Sequence, residues 1–348
     1  MRLQVLGCSG GIGGSISGPV VGERAGDRAA EEAIANASRR AAGQGAMLER
    51  RAPAFAGAGP GAGFGSGAGI GRGDGGLASD ALGGPVTEVP AGPGLQRGSG
   101  ARMFRRADQL RTSSFLLDDD ILIDAGTGVE DLTVPELARI DHVFLSHSHL
   151  DHICALPLMI DSVGGSRKKP LVVHALQETI DALKAHIFNW VIWPDFTEIP
   201  HYERPWMVFE PLTVGTTVTL GDRRIRPIAA NHTVPAIGFH LSAPGGSIVY
   251  SGDTWPNAEF WRTINGIRDL KYLIIENAFS NKEQDLAITA KHLYPIQLSQ
   301  ELGNLRVEPQ ILITHLKPSD RELIAQEINA WAGRFEPTIL QTGQTLEI

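Results

Sequence analysis

A layered α/β fold is what the sequence predicts, on three observations. Short apolar runs of strand length alternate with helix-spaced stretches from residue 109 to residue 348, the pattern of a sheet covered by helices. Several of those runs stop at a histidine or an aspartate, and open α/β sheets carry their sites at the carboxyl ends of strands. No repeat is present at the periods of solenoids or propellers.

Composition narrows the function classes. With 42 % hydrophobic and 20 % charged residues, the 348-residue chain can build a sizeable core. A formal charge of -8 and a pI near 5.8 repel polyanions on average, which disfavours long nucleic acid as a partner. Small anionic substrates stay open, because a bound metal supplies positive charge locally. Cys8 and Cys154 make neither a disulfide framework nor a four-cysteine zinc site. The start, Met1-Arg2-Leu3-Gln4-Val5-Leu6-Gly7-Cys8, looks superficially like a lipoprotein cleavage site. Its apolar stretch is far shorter than the roughly 7–15 residues of a signal peptide. No run approaches the roughly 20 apolar residues of a membrane span, so a cytoplasmic protein without membrane attachment is expected.

Residues 3–6 read as a short strand running into glycine. Over residues 14–108 glycine and alanine dominate, and most of the 41 glycines lie there. Such a segment buries too little surface to offset its ordering entropy. It is expected to be a flexible insertion after the first strand, with one helix near residues 29–40. Ser114-Phe115-Leu116-Leu117 and Ile121-Leu122-Ile123-Asp124 then read as strands joined by the Asp118-Asp119-Asp120 turn. The run from Val143 to Ser146 has the continuous character of a strand buried on both faces. Further strands are expected at 171–173, 225–229, 248–250, 273–275 and 311–313, and helices at 153–162, 178–186, 287–302 and 321–331.

The chemistry concentrates directly after the 143–146 strand, in His147-Ser148-His149-Leu150-Asp151-His152. His147 and His149, two apart, share a side if strand geometry continues. Three imidazoles and a carboxylate on one loop bury badly without a metal. They are also more ligands than one tetrahedral zinc with an open position requires, which points to two metals. His232, Asp253 and His315 each follow a later strand. Spacing alone leaves these three open between ligands and packed residues. His142, His174, His186, His201 and His240 are assigned to ordinary packing or surface roles.

The His-x-His-x-Asp-His run with its later His, Asp and His resembles the metallo-β-lactamase superfamily. The resemblance implies an αββα sandwich formed by residues 1–13 and 109–348, with a binuclear centre between the sheets. It also implies His147, His149 and His232 around one ion, Asp151, His152 and His315 around the other, and Asp253 bridging them. Zinc is expected first, with manganese or iron also possible at such a centre. Within the superfamily several stretches look like the class II 3′,5′-cyclic-nucleotide phosphodiesterases. These are Leu6-Gly7-Cys8-Ser9-Gly10-Gly11, Thr112-Ser113-Ser114-Phe115-Leu116-Leu117, Ile123-Asp124-Ala125-Gly126-Thr127-Gly128, and the run from His186 through Trp190, Trp193 and Phe196. Two features depart from that pattern: the long glycine-rich segment, and Glu276-Asn277-Ala278-Phe279, which matches the family's acidic segment loosely.

The resemblance implies hydrolysis of cyclic AMP or cyclic GMP to the 5′-monophosphate by a metal-bridging hydroxide. Asp151 would orient or deprotonate that nucleophile. His292 is the candidate phosphate contact or general acid, against a reading as a helix-start histidine with local bonds only. Glu276 is expected to hold a metal-ligating imidazole in place. Trp190, Trp193 and Phe196 would stack on a purine, or else pack a helix against the sandwich or a partner chain; a homodimer stays open. A ribonuclease Z-like enzyme shares the metal pattern, but the first His of its His-Glu-Ala-Thr motif is Ile275 here, and an extended basic surface for RNA is not evident. A thioesterase or lactamase, or a non-catalytic sensor, would be built on the same fold. The Gly7 to Gly13 stretch resembles a dinucleotide fingerprint but lacks the helix and acidic residue that must follow.

Overall fold

Strand-forming residues fall where the alternation of side chains can serve two faces at once. The computed structural model describes residues 1–11 and 110–348; the segment expected over 14–108, with its helix near 29–40, lies outside the described residues. In chain order the strands are β1 (Arg2–Gly7), β2 (Ser114–Leu117), β3 (Ile121–Ile123), β4 (His142–Phe144), β5 (Leu171–Ala175), β6 (Met207–Pro211) and β7 (Val218–Leu220). They continue as β8 (Arg223–Ala229), β9 (Ile237–Ala243), β10 (Gly246–Tyr250), β11 (Leu270–Glu276), β12 (Gln310–Thr314), β13 (Thr338–Ile339) and β14 (Thr345–Glu347). Two seven-stranded sheets result, ordered β14-β1-β2-β3-β4-β5-β6 and β13-β12-β11-β10-β9-β8-β7. Both sheets are antiparallel in one half and parallel in the other, the parallel pairs being β3–β4, β4–β5 and β5–β6 in the first and β10–β11, β11–β12 and β12–β13 in the second.

Because side chains alternate along a strand, each sheet has an inner and an outer apolar face. Phe115, Leu117, Ile121, Ile123 and Phe144 meet Ile225, Phe239, Leu241, Ile248, Tyr250, Ile274 and Leu312 between the sheets. Their neighbours Leu116, Leu122 and Val143 face outward, onto the helices Leu156–Val163 and Gln177–His186. On the other side Val249, Leu273, Ile275, Ile311 and Ile313 face the helices Ala258–Ile264, Pro295–Leu302 and Arg321–Ala332. The arrangement is the expected αββα sandwich. Among the described residues no helix is long and apolar enough to cross a membrane.

Two expected helices are each broken in two. The one expected over 153–162 is Leu150–Ile153 followed by Leu156–Val163, with Pro157 in the first turn of the second piece. The one expected over 287–302 is Gln284–Ala290 and Pro295–Leu302. Lys291 takes a left-handed conformation (φ 54°, ψ 51°) that ends the first piece. Tyr294 is extended (φ -131°, ψ 161°), as the residue before a proline tends to be. The interruption turns His292 inward. Strands β6, β7, β9, β13 and β14 go beyond the sequence expectation, and β4 leaves its ladder at Phe144 rather than Ser146.

Candidate metal centre

The site is organised from behind by a buried carboxylate. Asp124 follows β3 in a left-handed conformation (φ 55°). Its Oδ1 accepts the Ser146 backbone N–H at 2.7 Å. Its Oδ2 accepts the Ser146 hydroxyl at 2.9 Å, His152 Nδ1–H at 2.8 Å and the Tyr250 hydroxyl at 2.9 Å. These bonds fold the chain after β4 so that His147 and His152 are both fully buried and face one point. Tyr250 belongs to the second sheet, so the same carboxylate ties the two sheets together at the site.

The later strands deliver the other donors. His232 follows β8, Asp253 follows β10 and His315 follows β12. Asp253 Oδ2 lies 3.5 Å from His147 Nε2, 3.3 Å from His152 Nε2, 3.4 Å from His315 Nε2 and 3.9 Å from His232 Nε2. Asp151 Oδ2 lies 3.7 Å from His315 Nε2 and 4.0 Å from His152 Nε2. His232 Nε2 and His149 Nδ1 are 3.0 Å apart. Donors about 2.0–2.1 Å from one tetrahedral ion stand about 3.3 Å from each other, close to these separations. His147, His149, His232 and Asp253 form one group able to hold an ion, and Asp151, His152 and His315 a second, with all ligand atoms in a group within 4.8 Å of one another.

Polar satisfaction tests whether cations fit. Among the described residues the buried His147 Nε2, His152 Nε2 and Asp253 Oδ1 have no hydrogen-bond partner, a state native interiors avoid. The opposite ring nitrogens are engaged: His147 Nδ1 with Ser146 Oγ at 3.0 Å, His152 Nδ1 with Asp124, His315 Nδ1 with Ser113 Oγ at 3.3 Å, and His232 Nδ1 with the Lys291 carbonyl at 3.2 Å. One nitrogen tethered and the other aimed inward is how metal-ligating imidazoles are held. Burial pushes His147 well below its ordinary pKa, takes His232 down to about 4 and takes His315 down to about 3, so these lone pairs are free near neutrality. Burial would also depress His152, but Asp253 and Asp124 outweigh it and hold it well above its ordinary value. The donor set fits divalent ions.

His292 is brought to this cluster by the helix interruption. Its ring stacks on His315 at 5.2 Å and lies 4.9 Å from His232. Its Nδ1 is 2.9 Å from Glu276 Oε1. Glu276, fully buried, also accepts the backbone N–H groups of Thr254 at 2.9 Å and Leu293 at 3.3 Å. Glu276 thus holds an imidazole of the cluster, that of His292, which with Asp253 and His315 forms a further group able to hold an ion, and it also holds the loop beside Asp253, while Asp124 holds His152. Ile275 faces the outer helical layer.

The aromatic segment lies elsewhere. Phe196 is 1 % exposed and packs with Phe188 and Trp206 on the outer face of the first sheet, with Trp193 beside it. A ring so covered has no face to offer a base, so packing describes Phe196. Trp190 is exposed. His142 and His174 are packed as expected, their rings joined Nδ1 to Nε2 at 3.0 Å.

Asp124, Ser146, Ser113 and Gly10 carry no role that sequence reasoning assigns. A Cβ on Gly10 would stand 2.7 Å from His315 Cδ2, so the glycine-rich turn after β1 leaves room for that imidazole. The local signal for Asp124 is only its place after a strand and before Ala125-Gly126.

Comparison with known proteins agrees with this architecture. A family model described as "Beta-lactamase superfamily domain" matches residues 119–316. A probable 3′,5′-cyclic-nucleotide phosphodiesterase of Yersinia pestis is 30 % identical over 207 residues, covering 52 % of this chain and 58 % of that protein. The match therefore spans little more than half the length of that relative. A 3′,5′-cyclic-nucleotide phosphodiesterase of Aliivibrio fischeri is 27 % identical over 252 residues, covering 57 % of this chain and 73 % of that one. The crystal structure of unliganded yeast PDE1 superposes with a TM-score of 0.59 at 19 % identity, covering 68 % of this chain and 95 % of that one, a likeness of fold. Since the family model spans more than half of the 348 residues, and the sheets and donor loops lie within or beside it, the chain belongs to the β-lactamase superfamily.

Proposed function

We propose that this protein is a binuclear zinc phosphodiesterase that hydrolyses a 3′,5′-cyclic nucleotide to the 5′-monophosphate. The observation that carries the reading is the place of Asp253, one carboxylate oxygen 3.3–3.9 Å from imidazoles of both donor groups. Asp253 would thus contribute to holding both cations. Imidazole-rich donor sets suit zinc, with manganese and iron as the next candidates. His147, His149 and His232 would hold one ion, Asp151, His152 and His315 the other, with Asp253 between. Two close divalent ions supply an activated water at neutral pH and charge to stabilise the attacking and leaving oxygens of a phosphoryl displacement.

The chain's own groups do the rest. Asp151, the most open carboxylate of the set at 23 % side-chain exposure, would orient the attacking water by accepting a hydrogen bond from it, or take its proton. His292 is held by Glu276 with Nε2 free to face the leaving 3′-oxygen. Burial lowers the His292 pKa, but the Glu276 carboxylate more than offsets this and holds it above its ordinary value, which suits a proton donor to the alkoxide. Cyclic nucleotides as substrates are supported by the names of the relatives above. A cytoplasmic setting is part of the same proposal.

The test is incubation of metal-loaded protein with cyclic AMP and with cyclic GMP, followed by chromatography. A 5′-monophosphate is the expected product of at least one. No product from either, with cleavage of a thioester or of RNA instead, overturns the substrate and leaves the fold untouched.

A further inference from the structure

Solvent reaches the donor cluster at Asp151 as well as at the half-buried His149. Asp253 and His315 have side chains only 2 % exposed, whereas Asp151 is 23 % exposed. Beside Asp151 opens a cavity of about 340 Å³, lined by Gly11, Thr112, Thr127, Leu150, Cys154 and Lys317 as well as Asp151 itself. That volume is at the small end of the roughly 300–1,000 Å³ typical of small-ligand pockets. Leu150 stands 65 % exposed at the cavity, an apolar surface that the fold leaves largely uncovered. The same cavity holds a cation.

Lys317 follows His315 by two residues, and its backbone N–H is fixed to the Ala278 carbonyl at 3.0 Å. Its ammonium rests 5.3 Å from the centre of the Phe279 ring. It would lie 3.8 Å from a Cβ on Gly11, whose backbone N–H donates to Asp151 Oδ2 at 3.1 Å. Among the described residues no carboxylate lies within ion-pair distance of it, although the chain carries a net charge of -8. Arg111, next to Thr112 of the same cavity, is by contrast paired with Glu130 and Asp131. A half-buried ammonium held over an aromatic face, with no acid beside it among the described residues and next to a metal-ligand carboxylate, is placed to take an anion from outside.

We infer that the Leu150–Lys317 cavity is the substrate subsite and that Lys317 binds the phosphate of a nucleotide, with the nucleoside lying against Leu150. The inference rests on the phosphodiesterase reading for the identity of the nucleotide, but the anion contact itself does not depend on turnover. Lys317 thereby selects phosphoesters over the uncharged esters that the same metal arrangement would otherwise take. The Thr127 hydroxyl, which accepts the Thr112 backbone N–H at 3.0 Å, lines the same cavity.

Binding of 5′-AMP and of inorganic phosphate to the metal-loaded full chain, followed by calorimetry, separates the possibilities. Lys317→Met is expected to weaken 5′-AMP binding roughly tenfold or more, the scale of one charged hydrogen bond. It should also lower the ratio of bis(p-nitrophenyl) phosphate to p-nitrophenyl acetate turnover, with metal content unchanged by elemental analysis. Lys317→Arg should restore most of the affinity. Equal affinity in wild type and Lys317→Met overturns the subsite, as does a loss that arginine fails to restore and that accompanies loss of metal. Loss of 5′-AMP affinity in Lys317→Met, in a protein that hydrolyses neither cyclic nucleotide, keeps the subsite and removes the substrate. Wild-type affinity of that variant, in an active cyclic-nucleotide phosphodiesterase, does the reverse.

Discussion

Replacing Asp124 by asparagine is the most informative perturbation, because it changes no metal-facing atom. The carboxylate accepts Ser146 N–H on Oδ1, and the Ser146 hydroxyl, His152 Nδ1–H and Tyr250 hydroxyl on Oδ2. An amide keeps the shape but must set its own N–H groups against one of those two sets. With the amide nitrogen at Oδ1, only the Ser146 backbone N–H is opposed, so that orientation costs least. One unsatisfied buried donor then costs about 1–3 kcal/mol. Losing the charge also matters in the metal-free protein, where Asp253 and Asp124 favour the protonated His152: removing one partner of a buried pair costs about 3–5 kcal/mol. His152 is affected most directly at the metal. Its Nδ1–H bond to the carboxylate keeps the Nε2 lone pair toward the centre, and weakening such a support typically costs 10–100-fold in metal affinity. Competition against a chromophoric chelator should show one ion held more weakly in Asp124→Asn, with the melting temperature of the metal-free protein lowered. Two ions bound at wild-type affinity, in a protein of wild-type stability, would refute the claim that Asp124 positions His152.

His149→Ala is expected to lose metal and turnover together; near-normal hydrolysis in that variant rules out the ligand assignment. His292→Ala should keep its metals while kcat falls roughly 10²–10⁴-fold, the range for a lost general acid; loss of an ion instead would make His292 a ligand. For metal-free protein, pH is the third test. Burial, then the neighbouring His142, push His174 down to about 4, against an ordinary value near 6.5. Between those values the unfolded chain binds more protons than the folded one, so stability must fall as pH drops from about 6.5 toward 4. Urea midpoints measured across that window should decline, and less steeply in His174→Leu; equal slopes would show that His174 is not depressed.

The readable part of the molecule is local. Runs such as Ile121-Leu122-Ile123 and Ile311-Leu312-Ile313 declare buried strands because both faces are covered, by the opposite sheet and by helices. The 147–152 loop declares itself because its donors crowd within six residues. What stays hidden depends on partners distant in sequence. Strand β14 exists because Thr345, Leu346 and Glu347 pair with Gln4, Leu3 and Arg2, and nothing in a three-residue run announces that. Asp124 acquires its role from Ser146 and from Tyr250, 126 positions away. The broken helix at 291–294 is different in kind: Tyr294-Pro295 is a visible signal, outweighed by the helical spacing around it. Without that break, the geometry that makes His292 part of the site does not show.

The placement of donors across both sheets explains why so many buried polar atoms can coexist. The 147–152 loop comes from the first sheet, and His232, Asp253 and His315 from the second. Docking the sheets therefore closes the cluster and buries it in the same event. Without cations the closure leaves Nε2 of His147 and His152 and Oδ1 of Asp253 unsatisfied, each at about 1–3 kcal/mol. The ties that cross the sandwich behind the cluster, Tyr250 to Asp124 at 2.9 Å and Ser113 to His315 at 3.3 Å, oppose that cost and hold the imidazoles in place. A site assembled this way is braced from behind, so the imidazoles are held in place by the fold as well as by any ions they bind. Affinity and geometry are then set by the residues behind the ligands as much as by the ligands themselves, which is why Asp124, rather than any histidine, is the residue on which the arrangement turns.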